Sequence, residues 1–265
     1  MAQAASAAFF DLDKTIIATS SSFVFSRPFA KGGLLSRRAM LRSAYAHFLF
    51  HLGGADHDQM EKLRDMLSRM CAGWEVDTVR GIVNDTLNEV VPPVVYAEAL
   101  RLIAEHKAEG RTVVIVSTSG TEVVEPIGQL LGADQVIATR LEVRDGRYTG
   151  TVEYYCYGPE KARAIVELAA EQGWDLAQCY AYSDSMTDAP MLAAVGHPMA
   201  VNPDKELRKY AAAQGWPAID FERPVALRSA VPTPTRNQTL AALAVGTAVA
   251  GGYAWARARR STRVT

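Results

Sequence analysis

The sequence predicts an α/β fold: a parallel sheet flanked by helices, with an all-helical subdomain inserted near its start. Two observations predict the sheet. Short apolar runs at 7–10, 112–116 and 179–182 each end abruptly in small polar or acidic residues, as buried parallel strands do at their C-terminal edge. Stretches with helical spacing separate these runs. A third observation predicts the insertion. Between the first two strands Leu34, Leu35, Leu41, Tyr45, Phe48, Leu49 and Leu52, then Met60, Leu63, Met66, Leu67 and Met70, recur at helical intervals.

Taken in order, Ala7-Ala8-Phe9-Phe10 runs straight into the acid-rich turn Asp11-Leu12-Asp13-Lys14-Thr15. The helical insertion follows, and then residues 96–109 read as a helix stopped by Gly110. The strand at 112–116 leads into Ser117-Thr118-Ser119-Gly120. Residues between Ser117 and Lys161 suffice for one helix, one strand and a hairpin at Arg144-Asp145-Gly146-Arg147, where Asp-Gly suits a two-residue turn. A helix at 161–171 follows Tyr157-Gly158-Pro159-Glu160, and the strand at 179–182 delivers Ser183 and Asp184. Helix patterns at 191–194 and 205–213 and strand patterns at 199–201 and 218–219 complete the sheet. These readings set a core over 7–19 and 92–222, a helical cap over 20–91, a linker over 229–238 and an apolar, basic tail over 239–265.

Composition narrows the function. Lys and Arg number 28 against 29 Asp and Glu, so the chain has no basic field for a polyanion, and nucleic-acid binding is not expected. Cys71, Cys156 and Cys179 are widely spaced and lack a CxxC partner, which points away from zinc or a disulfide framework and suits a reducing cytoplasm. The N-terminus has no basic region ahead of its apolar run, so it does not read as a signal peptide. The tail is different. Its apolar run from Leu240 to Trp255 ends in Arg257, Arg259 and Arg260, which makes residues 240–260 a candidate membrane contact that would tether the protein to the inner face of a membrane. The run falls short of the about twenty residues that a bilayer span needs. A mobile Ala-rich tail or a loosely docked helix is the alternative.

Three strands therefore bring polar groups to one rim, where open α/β sheets bind ligands. Asp11 and Asp13, two apart on a turn, can face one pocket, one attacking an electrophilic centre and the other giving a proton to the leaving oxygen. Ser117, with Thr118 and Ser119 as rival donors, can hydrogen-bond an anionic oxygen; a helix N-cap is the plainer use of such a residue. Lys161 can neutralise both an anion and a nucleophilic carboxylate, although a lysine there could also be a solvated surface residue. In Tyr182-Ser183-Asp184-Ser185-Met186-Thr187-Asp188 the two acids, four apart, supply hard oxygen ligands of the kind that suit Mg²⁺ held with water and phosphate.

These four segments, in this order, resemble the four motifs of the haloacid dehalogenase superfamily, and the long helical insertion resembles subfamily IB, the branch that contains phosphoserine phosphatases. The resemblance covers residues 7 to 222. It implies a Rossmann-like three-layer core with a C1-type cap, and a Mg²⁺-dependent phosphatase of a small phosphorylated metabolite. It implies Asp11 as the nucleophile that becomes an aspartyl-phosphate, Asp13 as general acid and then base, and Ser117, Thr118 and Lys161 as phosphate binders. The metal ligands would be the Asp11 carboxylate, the Asp13 backbone carbonyl and Asp184, with Asp188 and Thr15 in support.

The chain departs from the phosphoserine phosphatase pattern in three places. No acid follows the first motif in Ile16-Ile17-Ala18-Thr19-Ser20-Ser21-Ser22, where that family reads the substrate amine. Thr118-Ser119 replaces Gly-Gly, and Thr187 replaces Asn. Serine recognition is thereby put in question, since an ammonium buried without a counter-charge is costly. Arg27, Arg37, Arg38 and Arg42 of the cap are candidates to read a second anionic group. Two other classes share single features with the chain. A P-type ATPase fragment shares Asp13-Lys14-Thr15, but Ile16-Ile17 stands where Gly-Thr belongs. A non-catalytic, membrane-tethered phosphate-binding module would not need both Asp11 and Asp13.

Overall fold

The structure, a computed structural model, describes residues 5–35 and 68–222. Its centre is strand β1 (Ala7–Phe10), whose four residues are all buried. Helix α1 (Ser21–Lys31) and helix α2 (Val76–Val90) follow. A 3-10 turn at Pro92–Val94 leads to α3 (Ala97–Ala108), β2 (Thr112–Gly120), α4 (Thr121–Leu131), β3 (Gln135–Arg144) and β4 (Arg147–Tyr154). The second half runs α5 (Pro159–Gln172), β5 (Tyr180–Ser183), α6 (Ala189–Ala193), β6 (His197–Val201), α7 (Lys205–Gln214) and β7 (Ala218–Ile219).

The strands form one seven-stranded sheet in the order β4-β3-β2-β1-β5-β6-β7. All neighbours are parallel except β3 and β4, which pair antiparallel through the predicted hairpin. Asp145 and Gly146 there both have positive φ, 52° and 73°, as the favoured two-residue hairpin turn requires. From β1 the chain builds outward through β2 and β3 on one side, then returns to lay β5, β6 and β7 on the other. The crevice between β1 and β5 is thus the switch point of the sheet, where ligands of such folds sit.

Alternation along the strands sorts side chains onto two faces. Phe10, Val113, Ile115 and Tyr182 pack with Ile103 of α3 and Val124 and Ile127 of α4. Phe9, Val114, Val116 and Ala181 pack with Ile165 of α5, Met191 and Leu192 of α6 and Leu207 of α7. This is the three-layer core that the sequence implied. Element boundaries moved by a few residues: β2 carries on through Gly120, and α5 starts at Pro159, so Lys161 is its third residue rather than its first.

The described ends of the insertion are rooted in that core. Phe25 of α1 and Val83 of α2 are fully buried in the cluster that holds Leu12, Ile16 and Ile17. The chain at 73–76 pairs with the outer side of the β4 hairpin, Gly73 N–H donating to the Tyr148 carbonyl at 2.8 Å and Tyr148 N–H to that of Trp74 at 3.0 Å. That pairing covers backbone groups a sheet edge would otherwise expose. Most of the residues that predicted the helical cap, from Leu41 to Leu67, lie outside the described residues, as do Arg37, Arg38 and Arg42. The chain divides into units at 1–224 and 225–265; the second, with the predicted linker and tail, also lies outside them. Among the described residues no helix is long and apolar enough to cross a membrane.

Candidate active site

The C-terminal ends of β1, β2 and β5 meet at the switch point, and the turns after them supply the polar groups. Asp11 follows β1 directly and stays in register, its N–H donating to the Tyr182 carbonyl of β5 at 2.9 Å. Lys14 takes a left-handed conformation at φ 64°, which tightens the turn between Asp13 and Thr19, whose carbonyl accepts from Lys14 N–H at 3.3 Å. Ser20 then caps α1, its hydroxyl oxygen accepting from Phe23 N–H.

Lys161 is the hub. Its ammonium donates to Asp11 Oδ1 at 2.6 Å and to Asp188 Oδ2 at 2.7 Å, and only 2% of its side chain is exposed. The backbone delivers it there through Gly158, at φ 56° and ψ −124°, a region open almost only to glycine, followed by Pro159 at the first helical position. Ser183 Oγ also donates to Asp188 Oδ2 at 2.7 Å, which fixes that carboxylate from β5. Burial opposes the Lys161 charge, but Asp11 and Asp188 outweigh it and raise the ammonium above its ordinary pKa.

The acids are also shifted upward, which for them favours the neutral form. Burial lifts the Asp11 carboxyl from 3.8 to about 7, with Asp188 and Asp13 adding repulsion and Lys161 opposing it. Asp184 is raised well above its ordinary range, chiefly by burial and next by the charge of Asp11. Asp13 is raised by burial against hydrogen bonds that favour its ionised form: Ser21 N–H to Oδ1 at 2.8 Å, Ser21 Oγ to Oδ2 at 3.3 Å and Ser119 Oγ to Oδ2 at 3.2 Å.

Among the three rival hydroxyls, Ser117 is buried and its Oγ accepts from Ser119 N–H at 3.2 Å, so its own proton remains available to an anion. Thr118 is half-buried, and its carbonyl accepts from Thr139 Oγ1 at 2.7 Å. Ser119 faces Asp13. A register shift in β2 between Ser117 and Gly120 produces this divergence of neighbouring hydroxyls. Thr15 is buried beneath the turn with its hydroxyl oxygen unpaired.

The structure thus brings Asp11, Asp13, Lys161, Asp184 and Asp188 within electrostatic reach of one another, with Ser117 and Thr118 at the same sheet edge. Among the described residues no three His, Cys, Asp or Glu side chains form a ready-made metal cluster. The implied ligand set needs only two carboxylates, Asp11 and Asp184, with the Asp13 carbonyl, leaving other positions to water and phosphate as Mg²⁺ prefers. Four carboxylates, Asp11, Asp13, Asp184 and Asp188, stand here against Lys161, with Lys14 acting on Asp184. The excess of anionic oxygen fits a divalent cation.

Several supporting residues carried no functional reading in the sequence. Ser21 stood only as part of a run without acids. Asp204 caps α7 through Leu207 N–H at 2.7 Å, and its Oδ2 accepts from Met186 N–H at 2.9 Å, while its own N–H donates to the Asp184 carbonyl at 2.7 Å. Asp204 directly precedes the pattern at 205–213, and nothing in the sequence marks its return to the Asp184 loop.

Comparison with known proteins agrees with this geometry. The profile of the haloacid dehalogenase-like hydrolases matches residues 8–193. The chain is 58% identical over 263 residues to a Streptomyces azureus protein named "Inhibition of morphological differentiation protein", spanning 97% of this chain and 95% of that one. It is 56% identical over 260 residues to a Mycobacterium tuberculosis protein named a probable phosphatase, spanning 97% and 91%. A solved structure of a phospho-aspartyl intermediate analogue of phosphoserine phosphatase shares the fold, with a TM-score of 0.62 at 21% identity over 86% of this chain and 97% of that one.

Proposed function

Since the chain belongs to the haloacid dehalogenase-like hydrolases and is a phosphatase of that family, we propose that it hydrolyses a small phosphorylated metabolite through an aspartyl-phosphate on Asp11, with Mg²⁺ as its cofactor. The observation that carries this reading is the buried ammonium of Lys161, shared between Asp11 and Asp188 at 2.6 and 2.7 Å. A carboxylate so placed stays nucleophilic while its repulsion from a phosphate dianion is offset.

In the first half-reaction an Asp11 oxygen bonds to phosphorus as the ester P–O bond breaks, and the Asp13 proton passes to the leaving oxygen. The upward push on Asp13 favours its holding that proton. In the second half-reaction water bonds to phosphorus and gives a proton to Asp13, while the bond from phosphorus to Asp11 breaks and phosphate leaves. The Ser117 hydroxyl and Lys161 hold the equatorial oxygens. The Asp11 and Asp184 carboxylates and the Asp13 carbonyl would hold Mg²⁺, which when bound would supply positive charge against the negative charge developing on phosphate.

Phosphoserine is not singled out as the substrate. Ser20 spends its hydroxyl on capping α1 and Ser21 on Asp13, so the segment after the first motif offers a substrate ammonium no carboxylate. Hydrolysis of p-nitrophenyl phosphate with and without Mg²⁺ tests the reading. Wild type should turn over only with the metal, and Asp11→Asn should be inactive because an amide does not attack phosphorus; equal activity of the two proteins would remove Asp11 as nucleophile.

A further inference from the structure

The hydroxyls of Ser21 and Ser119 approach each other to 2.7 Å, and both lie beside Asp13 Oδ2, at 3.3 and 3.2 Å. They come from opposite parts of the chain, one from the first turn of α1 and the other from the irregular end of β2. Three oxygens form a triangle with three short edges, but two hydroxyls carry only two protons. When Asp13 is ionised, one serine must donate to the other and the second to Asp13, or both must donate to Asp13 and leave the serine pair unbonded. In either case Asp13 Oδ2 accepts from a serine hydroxyl, while Oδ1 accepts from the Ser21 backbone N–H.

Such a clamp fixes the plane of the carboxyl group. A carboxyl rotates readily about its last torsion, and proton transfer requires it to lie within hydrogen-bond reach of the leaving oxygen. Held by donors on both oxygens, Asp13 cannot turn away during the exchange of ester for water. Resting on the acid role proposed for Asp13, the geometry points to Ser119 as a positioning residue that orients Asp13 for proton transfer, with Ser21 as its partner from the cap side. This assigns separate tasks within the 117–119 segment: Ser117 faces the phosphate, and Ser119 serves the acid.

The test exploits the leaving group. Protonation matters most when the departing oxygen is basic, so a misplaced acid penalises phenyl phosphate more than p-nitrophenyl phosphate, whose phenolate leaves without help. Measured as kcat/KM with Mg²⁺, Ser119→Ala is expected to lower phenyl phosphate hydrolysis by about tenfold or more and p-nitrophenyl phosphate hydrolysis by less than about threefold. Ser119→Thr, which keeps the hydroxyl, should restore both to within about threefold of wild type, and Ser21→Ala with Ser119→Ala should exceed Ser119→Ala alone on phenyl phosphate. An equal loss on both esters, no loss on either, or a Ser119→Thr protein no better than Ser119→Ala would overturn the assignment. Asp11→Asn is run beside them. Activity in that variant would instead overturn the aspartyl-phosphate reading.

Discussion

Asp11→Asn should make the protein markedly more stable in the absence of divalent metal, and the size of the gain follows from the burial of one carboxyl. Asp11 titrates near 7 in the fold instead of at its ordinary 3.8, mainly because burial disfavours its charge. Each pH unit of difference is worth about 1.36 kcal/mol, so the ionised carboxylate costs the folded state about 4 kcal/mol above pH 7. The sign is set by proton count. Between the two pKa values the folded chain binds more protons at this group than the unfolded chain, so its contribution is fully favourable below pH 3.8 and is lost as pH rises through about 7. Asparagine matches the protonated carboxyl in shape and never ionises. In EDTA at pH 8 the variant should therefore melt higher by roughly 8–16 °C, taking about 2–4 °C per kcal/mol for a domain of this size. The gap should close as pH falls towards 4. Saturating Mg²⁺ should narrow it at pH 8, since binding at about a hundred times the dissociation constant adds about 2.7 kcal/mol to the protein that has the ligand. Thermal unfolding followed by circular dichroism reads all three. Equal melting of the two proteins at pH 8 in EDTA, or a gap that persists unchanged at pH 4, would refute the claim that burial raises the pKa of the carboxyl at position 11.

Two further substitutions probe the parts that deliver the hub. Lys161→Met leaves Asp11 and Asp188 buried without their shared cation and should destabilise the fold by about 3–5 kcal/mol, with turnover lost; a melting temperature within about 2 °C of wild type would mean the ion pairs are solvated after all. Gly158→Ala places a side chain at φ 56°, ψ −124°, and should cost about 1–3 kcal/mol in urea unfolding while lowering turnover, because Lys161 N–H hangs from the Gly158 carbonyl at 3.1 Å; an unchanged midpoint would show that this backbone is not held as described.

Much of this architecture could be read from sequence because each catalytic segment obeys a local rule. A buried parallel strand is apolar on both faces and must stop where the rim begins, so Phe10 to Asp11, Val116 to Ser117 and Ser183 to Asp184 mark both an element end and a pocket wall. The hairpin at Asp145 and Gly146 was legible for the same kind of reason, since only residues tolerant of positive φ fit that turn. Lys161 could be placed at a helix start, but its near-complete burial could not: charged side chains are rarely buried, and the partners that make burial tolerable lie 150 and 27 positions away.

What the chain did not reveal shares a physical feature. The clamp on Asp13 joins Ser21 to Ser119 across 98 positions, and the strut under Asp184 comes from Asp204, an acid whose local use as an N-cap is already sufficient reason for its presence. Hydroxyls and capping acids satisfy nearby backbone groups by default, so a second, long-range bond leaves no mark in the pattern of residues. The register shift at the end of β2 separates the surroundings of two serines of the trio, Ser117 Oγ accepting from Ser119 N–H and Ser119 Oγ reaching Asp13. A strand without that irregularity would point Ser117 and Ser119 to the same face, two residues apart, and the acid would then lose its clamp to the anion site. The different partners of like hydroxyls are therefore a property of backbone geometry, which is why the separate surroundings of positions 117 and 119 emerge only once the fold is in view.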